Sequence, residues 1–349
     1  MNHKMNLPFV SILVPIRNES RYIDRCLESI LAQEYPHERL ELLIADGMSD
    51  DGTREIVTDF IRQNPSLSIR MVDNGGRIVA TGLNAAMRHA HGEIIVRVDG
   101  HCEIASDYIK QCVAHLINDG VDGVGGSMET IGETQLAGTI SLAMSSVFGV
   151  GDSAFRTVTG KTMLVDSVPF PAYTRAVMER AGLYDEELVR NQDDEYNYRL
   201  RKLGAKILLA DDVHSRYYSR SSLRSLWRQY YQYGYYKVRV MQKHPLQMRP
   251  RQFIPALLVV ALLAGLLSSL ASPWGFWWFV LILASYLTAN LLASILVAQR
   301  YGWQHFPRLP FVFSILHFSY GSGFLVGLVK FANRWKDRTG EVPSFFIHH

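Results

Sequence analysis

Charge of either sign is absent from residues 253–298, which hold no Lys, Arg, Asp or Glu, whereas residues 1–250 carry nearly all of it. So long an uncharged stretch excludes a chain that is soluble throughout and reads as a membrane domain behind a soluble one. Cysteine is scarce. Cys26, Cys102 and Cys112 are the three, none in CxxC spacing, which excludes a disulfide framework and fits free thiols in a reducing, cytosolic compartment. The net charge is only +3 and no aromatic-plus-basic RNP1 pattern occurs, so nucleic acid is not an expected partner. Met1–Phe9 has no useful apolar run before the charged Arg17–Arg21 stretch, so neither signal peptide nor anchor is expected there. A dinucleotide fingerprint is missing as well. Gly123–Gly126 reads Gly-Val-Gly-Gly but does not open a helix after the first strand, which removes a nicotinamide dehydrogenase and leaves the glycines as an expected turn.

What is present in the 349 residues is an alternation of short apolar runs and helical periodicities. Phe9–Pro15 is a β-branched run, and Ile23, Leu27, Ile30 and Leu31 then fall at helical spacing. Leu40–Ala45 and Ser68–Val72 repeat the strand pattern, Arg54–Gln63 and Ala80–Ala90 the helical one, and Ile94–Val98 is a further strand. Such alternation with short polar loops predicts an α/β fold whose mostly parallel sheet is covered on both faces. Farther on, Val177–Leu183 and Glu195–Leu203 read as helices, Ala205–Ala210 as a strand, and Ser222–Lys237 as a helix rich in Trp and Tyr. No internal repeat or low-complexity tract interrupts the pattern.

An open parallel sheet binds ligands beyond the carboxyl ends of its strands, where Arg17, Asp46 and Asp99 fall. Asp46 there can accept hydrogen bonds from a base imide or a ribose hydroxyl. Ser49, Asp50 and Thr53 of the same loop are explained by a capped helix start. Asp99 and His101, two residues apart in an extended segment, project to one side and can share a divalent cation, which would act as Lewis acid on a diphosphate. The plain alternative is a strand-end turn with an exposed histidine. Asp193 lies among Arg190–Glu195, where acids also suit a helix N-terminus, yet a helix start is equally a rigid place for a general base. His214, in a run expected to end a strand, is either a third metal ligand or an ordinary loop histidine.

Together these loops resemble family 2 glycosyltransferases with the GT-A nucleotide-diphospho-sugar transferase fold. The points of match are VPIRNE at Val14–Glu19, DGMSDDGT at Asp46–Thr53, NGGR to GLNAA within Asn74–Ala86, VDGH at Val98–His101 and QDDEYNYR at Gln192–Arg199. The likeness covers roughly residues 9–240. The family's DxD is here Asp99-Gly100-His101, and its Glu-Asp pair is Gln192-Asp193. With the run Val165–Phe170, these features look most like the succinoglycan-type, ExoA-like membrane glucosyltransferases of exopolysaccharide assembly. The resemblance implies that Pro15, Arg17, Asn18, Glu19 and Asp46 hold the uridine, with Arg77 and Asn84 as secondary donor contacts. It also implies that Asp99 and His101 hold the metal and diphosphate and that Asp193 is the base of an inverting transfer. An imidazole ligand favours Mn2+ over Mg2+. The expected partners are a UDP-sugar, UDP-glucose first, and a polyprenyl-diphosphate-linked acceptor. A processive synthase is the first rival, although no QxxRW helix is present, and an inactive scaffold that keeps the fold is the second.

The expected organisation is a cytosolic catalytic domain over residues 1–221, an aromatic and basic interfacial helix and linker over 222–250, a membrane domain over 251–331 and a tail over 332–349. Phe253–Leu270 and Gly275–Val297 are each long enough to span a bilayer and should form a hairpin, whose apolar surface could also pair two copies of the chain. Basic residues flank the hairpin at Lys243, Arg249, Arg251, Arg300 and Arg308 and are absent from its Ala271–Trp274 tip, which puts the catalytic domain in the cytosol, at the inner membrane of a bacterium. A third span over Leu309–Val329 would export Lys330, Arg334, Lys336 and Arg338. The segment is therefore expected to enter and return, bending at Ser319–Gly323, with a full span packed through Gly323 and Gly327 as the alternative.

Overall fold

Strand β1 (Val10–Ile16) is buried along its whole length, as is β2 (Leu40–Asp46), because helices cover both faces of the sheet they start. The computed structural model describes residues 7–151, 160–218 and 222–337. Helices α1 (Ile23–Leu31), α2 (Thr53–Gln63) and α3 (Val79–Met87) alternate with β1, β2, β3 (Ser68–Asp73) and β4 (Ile94–Arg97). Strand β1 pairs in parallel with β2 and β4, and β2 with β3. Parallel pairing needs a crossover between strands, and α1, α2 and α3 lie in those crossovers. The two faces carry separate cores, one containing Ile12, Ile23, Leu27 and Ile44, the other Leu13, Leu43, Leu83 and Tyr196.

Beyond β4 the sheet changes character. It continues through β5 (Cys102–Ile104), β6 (Gly123–Ile131), β7 (Met163–Leu164), β8 (Ala172–Thr174) and β9 (Ile207–Tyr218) in the order β3-β2-β1-β4-β8-β6-β9-β5, with β7 on β9. The pairs β4–β8, β6–β8, β5–β9 and β7–β9 are antiparallel. The sheet is thus mixed, with its parallel half where alternating strands and helices announced it. Helix α4 (Tyr108–Asn118) follows β5. The expected turn at Gly123–Gly126 is instead the start of β6. A Cβ at Gly126 would run into the Val213 backbone, and one at Gly125 would come within 2.8 Å of the Pro169 carbonyl, so these glycines serve close approach of neighbouring chain.

The described chain forms two compact units: residues 7–129 and 160–217, and residues 130–151, 218 and 222–337. Residues 130–151, which the sequence placed in the catalytic domain, belong to the second unit. The reason is packing. Helices α5 (Gln135–Met144) and α6 (Val147–Val150) set Ile140, Ala143, Met144 and Phe148 against Leu309, Val312, Phe313 and Leu316. The first unit closes with α7 (Arg175–Ala181) and α8 (Gln192–Lys202).

The second unit contains α9 (Leu223–Lys243), α10 (Ile254–Ser269), α11 (Pro273–Tyr301) and α12 (Leu309–Lys330). Segments Pro250–Ser269, Pro273–Tyr301 and Leu309–Lys330 are each long and apolar enough to cross a membrane. Ser272 caps α11 through the Trp274 backbone N–H, and Pro273 occupies its first turn, where no donor is lost. The expected bend at Ser319–Gly323 is absent, since α12 is one unbroken helix of 22 residues. Its glycines have a different use. A Cβ at Gly323 would meet the Tyr231 carbonyl and one at Gly327 the Tyr235 carbonyl, so they let the α9 backbone approach.

Candidate active site

Two loops at the carboxyl ends of β1 and β2 are tied directly to each other. Asn18, held at φ 55°, donates its Nδ2 to Asp50 Oδ1 at 2.8 Å and accepts the Asp50 backbone N–H on Oδ1 at 3.1 Å. The backbone N–H groups of Asn18 and Glu19 donate to Ser49 Oγ and Thr53 Oγ1, both at 2.9 Å. Asp46 is fully buried beneath them. Its carboxylate accepts from the Ser49 backbone N–H and hydroxyl and from Arg54 Nη1 at 2.5 Å, while Arg54 Nη2 reaches Asp73 at 2.8 Å. Pro15 is buried in β1 opposite Ala45. Arg17 and Arg77 remain at the exposed rim, joined by a hydrogen bond from Arg17 Nη1 to the Arg77 carbonyl at 3.2 Å.

Asn84, read as a donor contact, is not at that rim. It is completely buried, its Nδ2 donates to the Tyr184 carbonyl and to Glu186 Oε1, and its Oδ1 accepts the Tyr184 backbone N–H at 2.8 Å. All of the carboxamide is committed to the 184–186 segment, which makes Asn84 a positioning residue. Tyr184 in turn stacks on Tyr196 of α8 with ring centroids 4.1 Å apart. Arg199 of α8 donates to the carbonyls of Ala181 and Leu183 and pairs with Glu195. The start of α8 is therefore clamped from α3, from the chain after α7 and from within.

Asp99 follows β4 and is gripped by Arg97 through two hydrogen bonds, Nε to Oδ1 at 2.8 Å and Nη2 to Oδ2 at 3.1 Å. Burial alone would raise the Asp99 pKa, but the Arg97 guanidinium, with help from His101 and Arg190, holds it below the usual carboxylate range. Burial likewise disfavours the Arg97 charge, and the Asp99 and Asp193 carboxylates outweigh it and raise the Arg97 pKa. One guanidinium thus feels both Asp99 and Asp193. The latter stands exposed in the first turn of α8, just after Asn191 at φ 63°. Burial pushes the nearby Tyr184 hydroxyl up to about 12, so it stays neutral.

His101 stands beside this pair. Its Nδ1 lies 3.0 Å from Glu19 Oε1 and its ring meets Tyr217 edge-on at 4.9 Å. A carboxylate only accepts, so in the neutral ring Nδ1 carries the proton and Nε2 presents its lone pair, the tautomer of a metal-ligating histidine. Gly100 permits the approach, since a Cβ there would press on Ile16 Cγ2 at 2.6 Å. His214 does not join the group. Strand β9 runs on to Tyr218 instead of ending at Asp211–His214, and in the β5–β9 register Ile104 faces Ser215 and Cys102 faces Tyr217. His101 thus falls about four positions from His214, roughly 13 Å along the strand at about 3.3 Å per residue. The His214 ring bonds to Ser127 Oγ at 3.1 Å, and no group of three or more His, Cys, Asp or Glu side chains suited to a metal occurs among the described residues.

The sequence profile of Glycosyl transferase family 2 matches residues 11–185, which contain both strand-end loops and the Asp99–His101 turn. The chain is a family 2 glycosyltransferase. It is 28% identical over 332 residues, 93% of this chain and 96% of the relative, to the succinoglycan biosynthesis protein ExoA of Rhizobium meliloti (strain 1021). It is 27% identical over 331 residues, 92% and 98% of the two chains, to the dolichyl N-acetyl-alpha-D-glucosaminyl phosphate 3-beta-D-2,3-diacetamido-2,3-dideoxy-beta-D-glucuronosyltransferase of Methanococcus voltae. The mannosyltransferase PcManGT from Pyrobaculum calidifontis, solved in complex with GDP-Man and Mn2+, superimposes with a TM-score of 0.61 at 22% identity, covering 93% of this chain and 88% of its own, and shares the GT-A fold. Within this glycosyltransferase, the sequence reading missed Arg97, Arg54 and Tyr184. Arg97 had a visible signal, a lone cation in an otherwise apolar strand, whereas Tyr184 had none.

Proposed function

We propose that the enzyme moves one sugar from a UDP-sugar, UDP-glucose first among them, to a polyprenyl-diphosphate-linked acceptor in exopolysaccharide assembly, at the cytosolic face of a bacterial inner membrane. The observation that carries this reading is Arg97, which holds Asp99 through two hydrogen bonds and whose charge Asp193 also favours, as two carboxylates serving one site require. Full-length similarity to a succinoglycan biosynthesis protein and to an enzyme named for a dolichyl-linked acceptor supports the acceptor class. The Pro15–Glu19 loop, Asp46 and the exposed Arg17 and Arg77 form the donor side, with Asp46 acting through the loop it braces.

Asp193 serves as general base. It takes the proton of an acceptor hydroxyl as that oxygen bonds to the anomeric carbon, the bond from this carbon to the diphosphate breaks, and UDP departs with inversion. Asp99 and His101 are the residues that would hold a divalent metal, and their chemistry fits one, since Glu19 fixes the His101 tautomer and Asp99 is an ionised carboxylate. Two protein ligands leave room for phosphate oxygens and water. When bound, the metal supplies neutralisation of the diphosphate charge. The imidazole favours Mn2+ over Mg2+. Incubating the full chain with a panel of UDP-sugars and lipid-linked acceptors, with UDP release and product length as readouts, tests the proposal. One sugar added per acceptor, with loss of transfer in EDTA and recovery in Mn2+, is expected. Polymer growth, or unchanged transfer in EDTA, contradicts it.

A further inference from the structure

Helix α12 runs counter to both members of the α10–α11 hairpin. The hairpin itself is antiparallel, since Gly265 lies against Phe279 and Gly275 against Ser268. As α12 advances, its partners on α11 step backward, from Asn290 at Pro310 and Ser314 to Tyr286 at His317 and Phe318. On α10 and the residues before it they step backward too, from Val259 and Pro255 at Gly321 to Phe253 at Phe324. A helix aligned with an antiparallel hairpin must run with one member and against the other. One that opposes both lies across the pair.

The ends of α12 agree. Its first turn packs with Ala298 and Phe306, at the Arg300 end of α11, and its last turns share a cluster with Phe253 and Met248, at the Arg251 end of α10. Both are the basic-flanked ends of the hairpin. Helix α9 lies alongside in the same direction, Tyr231 at Gly323, Tyr235 at Gly327, and the Arg239 guanidinium over the Phe331 ring at 5.9 Å. If α12 crossed the bilayer, α9 would carry Arg224, Arg228, Lys237, Arg239 and Lys243 to the same depth, where charge is rare and costly. Protein also covers 44% of the apolar window of α12, against 11% and 22% for the first two segments, as suits a helix shared between protein and interface.

Exposed aromatics stand at both ends of α11. Trp274, Trp277 and Trp278 stand at the hairpin tip, and Tyr301 and Trp303 at its other end. In the hairpin register Phe253 lies level with about residue 290, and the rise from Trp274 to Asn290 is roughly 24 Å at about 1.5 Å per residue, near the hydrocarbon thickness of a bilayer, so α12, which meets Asn290 and Phe253, crosses at its basic-flanked edge. We infer that α10 and α11 alone cross the membrane, while α12 and α9 lie in the interfacial plane on the basic-flanked side, so that the chain leaves α12 on the side where the hairpin enters. Phe311 and Val329, which are 68% and 80% exposed, sit on one stripe five turns apart at about 3.6 residues each, with Ser322 between them and Val326 beside it. That apolar stripe fits the headgroup–acyl boundary, and the flanking arginines fit anionic headgroups.

The test uses the full chain, whose native cysteines are all buried. Spin labels at Phe311→Cys, Ser322→Cys and Val329→Cys in liposomes should report one shallow depth, by oxygen against nickel-chelate accessibility. A membrane-impermeant maleimide on intact cells should label Ser272→Cys directly and Lys336→Cys only after permeabilisation. A Ser322 label deeper than its two neighbours by about 10 Å, or direct labelling at position 336, overturns the inference. Neither readout depends on which sugar is transferred.

Discussion

The two sides of the candidate site are held by different physics. On the donor side, the loops after β1 and β2 close on each other through hydrogen bonds from Asn18 and Glu19, and the ion pair of buried Asp46 with Arg54 lies beneath them within a single loop and helix. On the catalytic side, Asp99 and Asp193 come from distant parts of the chain and are balanced by one guanidinium, Arg97, whose side chain is only 11% exposed. A hydrogen-bonded loop tolerates the loss of one member. A charge-balanced centre does not, because removing the cation leaves a carboxylate with its desolvation uncompensated.

The sharpest way to break this contrast is Arg97→Leu. It should destabilise the catalytic unit by about 3 kcal/mol, the low end for breaking a buried pair because Asp99 keeps some exposure, and it should abolish transfer. Asn18→Ala, its counterpart on the donor side, should cost about 1 kcal/mol. Thermal unfolding of the detergent-solubilised chain measures both, and equal losses would dissolve the distinction. Between the two lies Asn84→Ala, about 1–3 kcal/mol for the unpaired groups it leaves, with a fall in kcat and little change in the affinity for nucleotide. A fall in nucleotide affinity alone would return Asn84 to the donor side.

The smallest effect lies outside the site. His115 bridges Asp119 at 2.6 Å and Asp212 at 2.8 Å, and although burial works against its charge, the two carboxylates raise its pKa above the ordinary value. A raised folded-state pKa gives stability that is fully present below about pH 6.5 and is lost as pH climbs through the folded value. His115→Gln should therefore cost more at pH 5.5 than at pH 9, by no more than about 1 kcal/mol because both carboxylates are half exposed. A pH-independent cost would show that the bridge is not ionic.

The same division governs what could be read from the sequence. Strands β1, β2 and β4 announce themselves because burial on both faces demands near-continuous apolar runs, and the α1 and α2 periodicities are strong. Strands β5, β7 and β8 have three residues or fewer and leave no pattern, and the glycines of β6 imitate a turn. The loops are legible because each carries its signal in a few consecutive residues, at Pro15–Glu19 and Asp46–Thr53, although the hydrogen bonds that close them join Asn18 to Ser49 and Asp50 across 31 and 32 positions. The field joining Asp99, Arg97 and Asp193 is set by how β4, β8 and α8 pack. His214 misled because exposed Asp211 and Asp212 looked like a strand end, whereas β9 passes through them to Tyr218. At the membrane, the glycines of α12 read as a break because their packing partner, α9, lies far away in sequence.

Asp193 is proposed as the proton acceptor, in a site it shares with Asp99. Asp193→Asn keeps the side-chain volume and removes the base, so side-by-side measurement of turnover and UDP binding on the full chain tests the claim most directly. A loss of turnover on the order of a hundredfold or more, with UDP binding unchanged, is expected. Turnover above about a tenth of the parent value, or a loss of UDP binding that accounts for the whole effect, would contradict it.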